Sequence, residues 1–434
     1  MDLVKRLNPS HRQPLTLPRP WPACAQGLLR DGASWLHGNG WGGDLLTLPG
    51  GPLMESRWNG HRWITTLDGR EELGQPFDIL ERTVASGHPC HPWVGALSYE
   101  LACSEAGLPC QDPETGAVGL SWRGVTQALR VEGRTAEIWS WGDPPLDDAQ
   151  KRLAQACALA RPQLGTLTPR WSESTHHDAV ETIRARILDG EFYVANLCVP
   201  FDGAWSGDTT TLALSCFRRA DPPYGAFLPI GVDGLTMLCL SMERVLGKSG
   251  TTLISEPIKG SAPRTGNAAA DELAGKAMCL DPKERAEHTM IVDLVRNDLG
   301  RVAEIGSVRV SELMALHAYP TVQHLVSRVE AKVRPDVGLA EILRSMLPGG
   351  SVTGAPKYAV CAHIASVEAA PRGFYCGALG WIHGDDFELA LPIRTAQIFD
   401  GHLTYWAGGG ITLRSDAAKE WRELHLKTQA FRPR

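Results

Sequence analysis

The chain is predicted to be a mixed protein in which antiparallel sheet dominates the start and helices join it later. Three observations carry this. The first third is rich in glycine, proline and tryptophan and contains short alternating runs such as "HRWITTL" and "AEIWSWG", the mark of a sheet with tight connections. A turn-rich stretch, "RPQLGTLTPR", places a boundary near residues 161–172. Beyond it, strand and helix signals alternate irregularly to the end, the strongest helix being "DPKERAEHTMIVDLVRNDLGRV", which opens on an Asp-Pro start.

Nine of the 14 tryptophans precede residue 142, where a large apolar payload suits a sheet core. The segment "LMES", 53–56, reads as a plain strand. Asp147 to Ala160 reads as a helix leading into the boundary. After it, Ser174 is placed to cap a helix with Val180, Ile183 and Ile187 on one face and Gly190 as its stop. Thr251 to Ile254 reads as a strand whose end Pro257 and Gly260 punctuate, which leaves Lys259 at a strand exit.

In the long helix, Asp281 suits the N-cap and Glu284 the capping-box position. Glu287 has no such excuse, because it shares a face with Ile291 and Leu294 and a carboxylate there needs a cation or donor. In "SDAAKEWRELHLKTQA", Glu420 and Glu423 lie on one helical face, with Lys427 one turn after Glu423. Singly, Glu423–Lys427 is an ordinary surface ion pair. Two glutamate pairs on two helices would, however, make an oxygen cage for Mg²⁺.

"TVQHLVSRVEAKV", 321–333, alternates as a strand and puts His324 on the face of Val322 and Val326, where a histidine is more often a core residue than a catalyst. "LPGGSVTGAPK", 347–357, lacks the Lys-Ser/Thr of a nucleotide loop but can turn into a helix with free N–H groups suited to an anion. Gly408 to Gly410 follow the strand "HLTYWA" and let the backbone approach something closely. Arg394, read as mid-strand in "LPIRTAQ", needs an anionic partner.

At 434 residues, 43% hydrophobic and 21% charged, the chain buries a core easily. A net charge of −6 without basic runs argues against nucleic acid or an anionic membrane as partner. The 11 scattered cysteines, without CxxC pairs, fit a reducing compartment. Prolines occupy the N-terminal region where a secretory apolar core would lie, and no stretch approaches the ~18 apolar residues of a spanning helix. A cytoplasmic protein is expected.

Together the segments "GEFYVANL", "SMERVL", "EPIKGSAPR", "AEHTMIVDLVRNDLGRV", "YPTVQHLVSRVEA", "LPGGSVTGAPK", "RGFYCGALGWI", "IRTAQ" and "GGGITLRSDAAKEWRELHLKTQA" resemble, in order over about 175–431, the chorismate-utilising enzymes, in particular their aminodeoxychorismate synthase component I branch. "GALSYELA", 95–102, looks like the equivalent stretch of the N-terminal part. The resemblance implies an α+β fold whose large two-sheet, sandwich-like core carries helices outside. It also implies a sheet-rich region 1–165 integrated with that core and a chorismate-binding catalytic region 172–434.

By the same resemblance Glu287 and Glu423 bind Mg²⁺ with Glu284 and Glu420 in support. The ring carboxylate of chorismate meets the ion, and the second carboxylate meets Tyr375, Arg394, Lys427 and the amides around Gly408 and Gly410. His324 and Thr353 line the ring, and Glu243 is the general acid for the C4 hydroxyl. Lys259 stands where anthranilate synthases usually carry alanine. The resemblance makes it the nucleophile on C2, later displaced at C4 by ammonia, a role that needs a lysine pKa depressed by Mg²⁺ and desolvation. Val194 occupies the position of the water-activating lysine of isochorismate and salicylate synthases, which disfavours water as nucleophile. It also replaces the glutamine common in the amine-forming branches. Ser261 stands for the usual threonine and Thr265 for a glycine.

No amidotransferase-like cysteine segment is recognisable, so a separate glutamine amidotransferase subunit is the expected ammonia source. The rivals are anthranilate synthase component I and a catalytically silent chorismate-binding protein.

Overall fold

The computed structural model describes residues 3–17, 21, 25–86, 91–132, 135–142 and 162–431. The helix expected over Asp147 to Ala160 lies outside the described residues. Among the described residues there are two large antiparallel sheets, of 13 and 12 strands, with helices against their outer faces. This is the expected α+β, two-sheet architecture.

The first sheet runs, in spatial order, through His11–Leu15, Thr135–Ser140, Gln127–Glu132, Asp44–Thr47, Ser34–His37, Tyr224–Ile230, Leu235–Ser241, Thr395–Phe399, His402–Ile411, Val194–Ser206 and Gln163–Leu164. Thr168–Pro169 and Gly354–Ala355 also pair with Val194–Ser206. The turn-rich stretch after residue 161 is thus partly sheet edge.

The second sheet runs through Ile258–Pro263, Val322–Lys332, Thr252–Glu256, Arg244–Ser249, Asp386–Ala390, Ala378–His383, Trp93–Leu97, Val118–Gly124, Leu53–Trp58, Trp63–Leu67 and Arg70–Glu72. Arg309–Ala318 joins it on Val322–Lys332. "LMES" is a strand, as read.

The sheets face each other across an apolar layer to which one contributes Leu36, Trp139 and Met237, the other Val94, Ala96, Leu379 and Trp381, and the short turn Asn39–Trp41 adds Trp41. The tryptophan-rich start does serve the core: Trp35, Trp41, Trp122, Trp139 and Trp141 are fully buried. Their indole N–H groups find acceptors where the chain supplies them, Trp41 on Gly225 O at 2.8 Å and Trp141 on Leu7 O at 2.7 Å. Among the described residues no helix is long and apolar enough to cross a membrane.

Three local differences from the sequence reading matter for the site. The first helix after the boundary is Glu173–Leu188, capped by Ser172, whose hydroxyl accepts from Thr175 N at 3.1 Å; Val180 and Ile183 are buried as expected. The strand Thr252–Glu256 ends at Pro257, but the chain then starts a second strand, Ile258–Pro263, at the sheet's edge, so Lys259 sits within a strand and not at an exit. Arg394 precedes the strand Thr395–Phe399, in the left-handed region at φ 51°, and is not mid-strand.

Candidate active site

Gly260 makes a bulge. Ile258 and Lys259 pair with Val326 and Leu325, and the register shifts before Ser261 meets His324. Gly260 takes φ 71°, a conformation that suits glycine, and so supplies the extra residue that re-aims its neighbours. Lys259 Nζ lies 2.8 Å from Glu287 Oε1, and both side chains are nearly enclosed. Burial pulls this ammonium down, but the charge and hydrogen bond of Glu287, with Glu243 and Glu284 behind it, hold it above its ordinary value. Desolvation alone does not depress the lysine while Glu287 faces it.

Glu287 comes from the helix Pro282–Gly300, whose first turn is capped by Asp281 Oδ1 accepting from Lys283 N and Glu284 N. The capping box is not closed by Glu284, since Asp281 N donates to Met278 O. Glu284 turns instead toward Gly260, where a Cβ would stand 3.3 Å from its Oε2. Burial and then the charges of Glu287 and Glu423 raise its pKa, and among the described residues it has no ion pair.

The opposite wall is the helix Ala417–Thr428. Its Glu420 is buried and faces Lys283 Nζ at 3.2 Å. Its Glu423 is 2.7 Å from Lys427 Nζ, which chiefly holds the Glu423 carboxyl below its usual value. Between the two helices runs the glycine strand. Lys427 Nζ donates to Gly408 O at 2.6 Å, and strand alternation then turns the N–H groups of Gly408 and Gly410 to the same open edge. A side chain at 410 would collide with Glu287 Oε1 at 2.1 Å, and one at 409 would stand 3.3 Å from Glu420 Oε2. Gly409 and Gly410 are therefore spacing elements for the carboxylates, whereas a side chain at 408 would meet Cys198 Sγ.

Glu243 sits in the turn between Leu235–Ser241 and Arg244–Ser249. Its backbone is pinned by Leu391 N donating to its carbonyl at 3.0 Å, and its own N–H reaches Ser241 Oγ at 3.1 Å. Burial pushes its carboxyl up to about 7, against the opposing pull of Ser351 and Lys259. His324 is buried, with Nδ1 2.8 Å from Gly260 O and 3.0 Å from Ser261 Oγ. Burial lowers it to about 4, helped by the positive charges of Arg394 and Lys427, so the ring is neutral near pH 7. A carbonyl can only accept, so Nδ1 carries the hydrogen and Nε2, unpartnered among the described residues, offers a lone pair.

Thr353 is buried and its hydroxyl donates to Gly349 O at 3.0 Å. Tyr375 is buried with its ring stacked on Trp406, 6.1 Å between centroids, and its oxygen 3.9 Å from Cys198 Sγ. The half-buried Arg394 guanidinium has no ion pair or hydrogen bond among the described residues. A cation so placed is suited to an anionic ligand.

Sequence reasoning missed Ser351, which donates to Glu243 Oε1 at 2.6 Å, and Lys283, the partner of Glu420. Ser351 lay inside a glycine-rich stretch read for its backbone, with a single hydroxyl as its only signal.

The four glutamates form an all-oxygen donor set of the kind a hard cation prefers. Three of them pair with Lys259, Lys283 and Lys427 and Glu284 pairs with no cation among the described residues, so the set carries a surplus negative charge and its donor chemistry fits Mg²⁺. Among the described residues no three of these carboxylates converge at ligating distance, because Glu287, Glu420 and Glu423 each turn to an ammonium.

Two sheets with a buried acid, a lysine and paired carboxylates along a glycine strand define an enzyme site on a known architecture. The fold is that of anthranilate synthase component I from Streptococcus pneumoniae TIGR4, with a TM-score of 0.73 at 23% identity over 89% of this chain and 92% of that one. It is also that of MenF, the menaquinone-specific isochorismate synthase from Escherichia coli, with a TM-score of 0.73 at 16% identity over 99% and 97%.

The sequence profile of the chorismate binding enzymes matches residues 56–433, and the chain belongs to that family. Aminodeoxychorismate synthase component 1 of Klebsiella aerogenes is 35% identical over 85% of each chain. Aminodeoxychorismate synthase of Streptomyces pristinaespiralis is 39% identical over 89% of this chain, which spans 58% of that longer protein. A protein named anthranilate synthase component 1 3, from Haloarcula marismortui, is 36% identical over 82% of this chain and 69% of its own.

Proposed function

We propose that the chain is component I of an aminodeoxychorismate synthase. It aminates chorismate at C4 to 4-amino-4-deoxychorismate, toward para-aminobenzoate and folate, in the cytoplasm, with ammonia from a glutamine amidotransferase subunit. The observation that carries the reading is Lys259, a largely enclosed amine 2.8 Å from a carboxylate and facing the glycine strand, where it can form a bond to the substrate ring. Residues 172–434 supply the catalytic region, with 1–165 built into the same sheets.

In this reading Arg394, Lys427, Tyr375 and the open-edge amides of Gly408 and Gly410 hold one substrate carboxylate, while His324 and Thr353 border the ring. Lys259 Nζ, deprotonated, bonds to C2. The two ring double bonds shift, and Glu243 passes its proton to the C4 hydroxyl, which leaves as water. Ammonia then bonds to C4, the double bonds return and the C2–Nζ bond breaks with its electron pair going back to Lys259. Glu287 and Glu423, with Glu284 and Glu420 beside them, would hold Mg²⁺, which supplies a counter-charge for the other substrate carboxylate and competes for the carboxylate that now keeps Lys259 protonated.

The test is the product formed from chorismate, ammonium and Mg²⁺. The expected compound is 4-amino-4-deoxychorismate without pyruvate release. Accumulation of fluorescent anthranilate with pyruvate would favour the activity named for the Haloarcula relative and refute the role given to Lys259. Binding of chorismate without turnover would identify a silent binding protein.

A further inference from the structure

Glu243 is asked to hold a proton and deliver it in one direction, yet a carboxylic acid has two oxygens and can carry its proton on either. We propose that Ser351 is a positioning residue that decides between them: its hydroxyl occupies Oε1, so the transferable proton sits on Oε2. The inference rests on the general-acid role given to Glu243 above.

Ser351 Oγ lies 2.6 Å from Glu243 Oε1, and both residues are buried. With its hydrogen donated there, Oε1 is filled as an acceptor. The backbone N–H of Ile258 also bears on the carboxyl; Ser351 is the one side chain that bonds it among the described residues, and Oε2 is left as the site of the acidic proton.

The turn that carries Ser351 is built to hold still. Gly350–Val352 is one 3₁₀ turn, and Gly350 packs so closely on the Pro282–Gly300 helix that a Cβ would stand 2.6 Å from Leu294. Val352 O accepts from Arg372 Nη1 at 2.8 Å, and the fully buried Arg372 is gripped by both oxygens of Glu368. The other charged or titratable groups facing Glu243 are Lys259, from the Ile258–Pro263 strand, and the Tyr319 phenol, which follows Arg309–Ala318. Arg244, next in the chain, is committed to Glu388 and Glu256. Among these partners Ser351 alone is hydrogen-bonded to the carboxyl.

A hydroxyl donated to a carboxylate favours the ionised form, so its removal moves the carboxyl further up. The experiment follows the protonated-carboxyl band of Glu243 by difference infrared spectroscopy against pH, with Glu243→Gln as the blank, and the alkaline limb of kcat in parallel. Ser351→Ala is expected to raise the midpoint by about one pH unit and to lower kcat roughly tenfold. Ser351→Thr, which keeps the hydroxyl, is expected to restore both.

A wild-type midpoint in Ser351→Ala, or a fall in kcat that Ser351→Thr does not repair, overturns the proposal. The infrared titration reads Ser351 and Glu243 without turnover. A wild-type protein that fails to aminate chorismate at C4 therefore refutes the proposed function alone.

Discussion

Replacing Gly410 with alanine would place a methyl carbon 2.1 Å from Glu287 Oε1 and 3.2 Å from Lys259 Nζ. Ordinary contact begins near 3.4 Å, so the carboxylate must retreat by about 1.3 Å. Glu287, which the proposed reading gives to Mg²⁺, would be carried off its position by that distance, and Lys259 Nζ would be crowded by the same methyl. A displacement of about 1 Å at reacting groups costs on the order of 100-fold in rate, or about 3 kcal/mol of transition-state stabilisation.

Stability should hardly respond. Gly410 is outside the left-handed region, and what blocks the methyl is the end of a flexible side chain and not backbone. Lost chain entropy in the unfolded state offsets part of the strain, which leaves a net change within about 1 kcal/mol. The assay is chorismate consumption with ammonium and Mg²⁺, beside calorimetric unfolding. Gly409→Ala, whose methyl would meet Glu420 Oε2 at 3.3 Å, is the control and should lose less than about threefold. Wild-type kcat/KM in a folded Gly410→Ala, or equal losses in both variants, would refute the view of the glycine strand as a carboxylate spacer.

Lys259→Ala should abolish C4 amination while Mg²⁺ binding, followed by titration calorimetry, persists; unchanged product would remove its nucleophilic role. Glu243, with a folded-state carboxyl of about 7, should give a rate that falls as pH rises through 7, and Glu243→Gln should lack that limb. A raised carboxyl destabilises the fold as pH climbs from its unfolded value near 4.3 to about 7. Denaturant unfolding should therefore show Glu243→Gln gaining on wild type by an order of ~3 kcal/mol between pH 4 and pH 8, and a constant difference would contradict the burial argument. Glu423→Gln should weaken Mg²⁺-dependent chorismate binding about tenfold or more, and an unaltered magnesium titration would discard it as a ligand.

Much of this architecture was legible because it is local. Asp281 caps its helix and Glu287 follows on the buried stripe, as periodicity and capping chemistry require. Glu420 and Glu423 share a face because three residues make most of a turn. What was not legible depends on distant partners. Nothing near Glu284 in sequence shows that Gly260 draws it away from the capping box, nor does "EPIKG" show that its second strand will pair with Val322–Lys332. The raised pKa of Lys259 follows from Glu287, 28 positions on, a partner that nothing within "EPIKG" names.

The order of strands carries a consequence for how the chain is made. Trp93–Leu97 lies beside Ala378–His383, and Ser34–His37 beside Tyr224–Ile230. A ribosome emits the first members of these pairs long before the second. Until then, strands that end as neighbours of central elements have open edges and exposed indoles. Such non-local pairing closes slowly. The nascent first third should therefore be a client for chaperones that shield sheet edges, and fragments ending before residue 378 should aggregate when expressed alone.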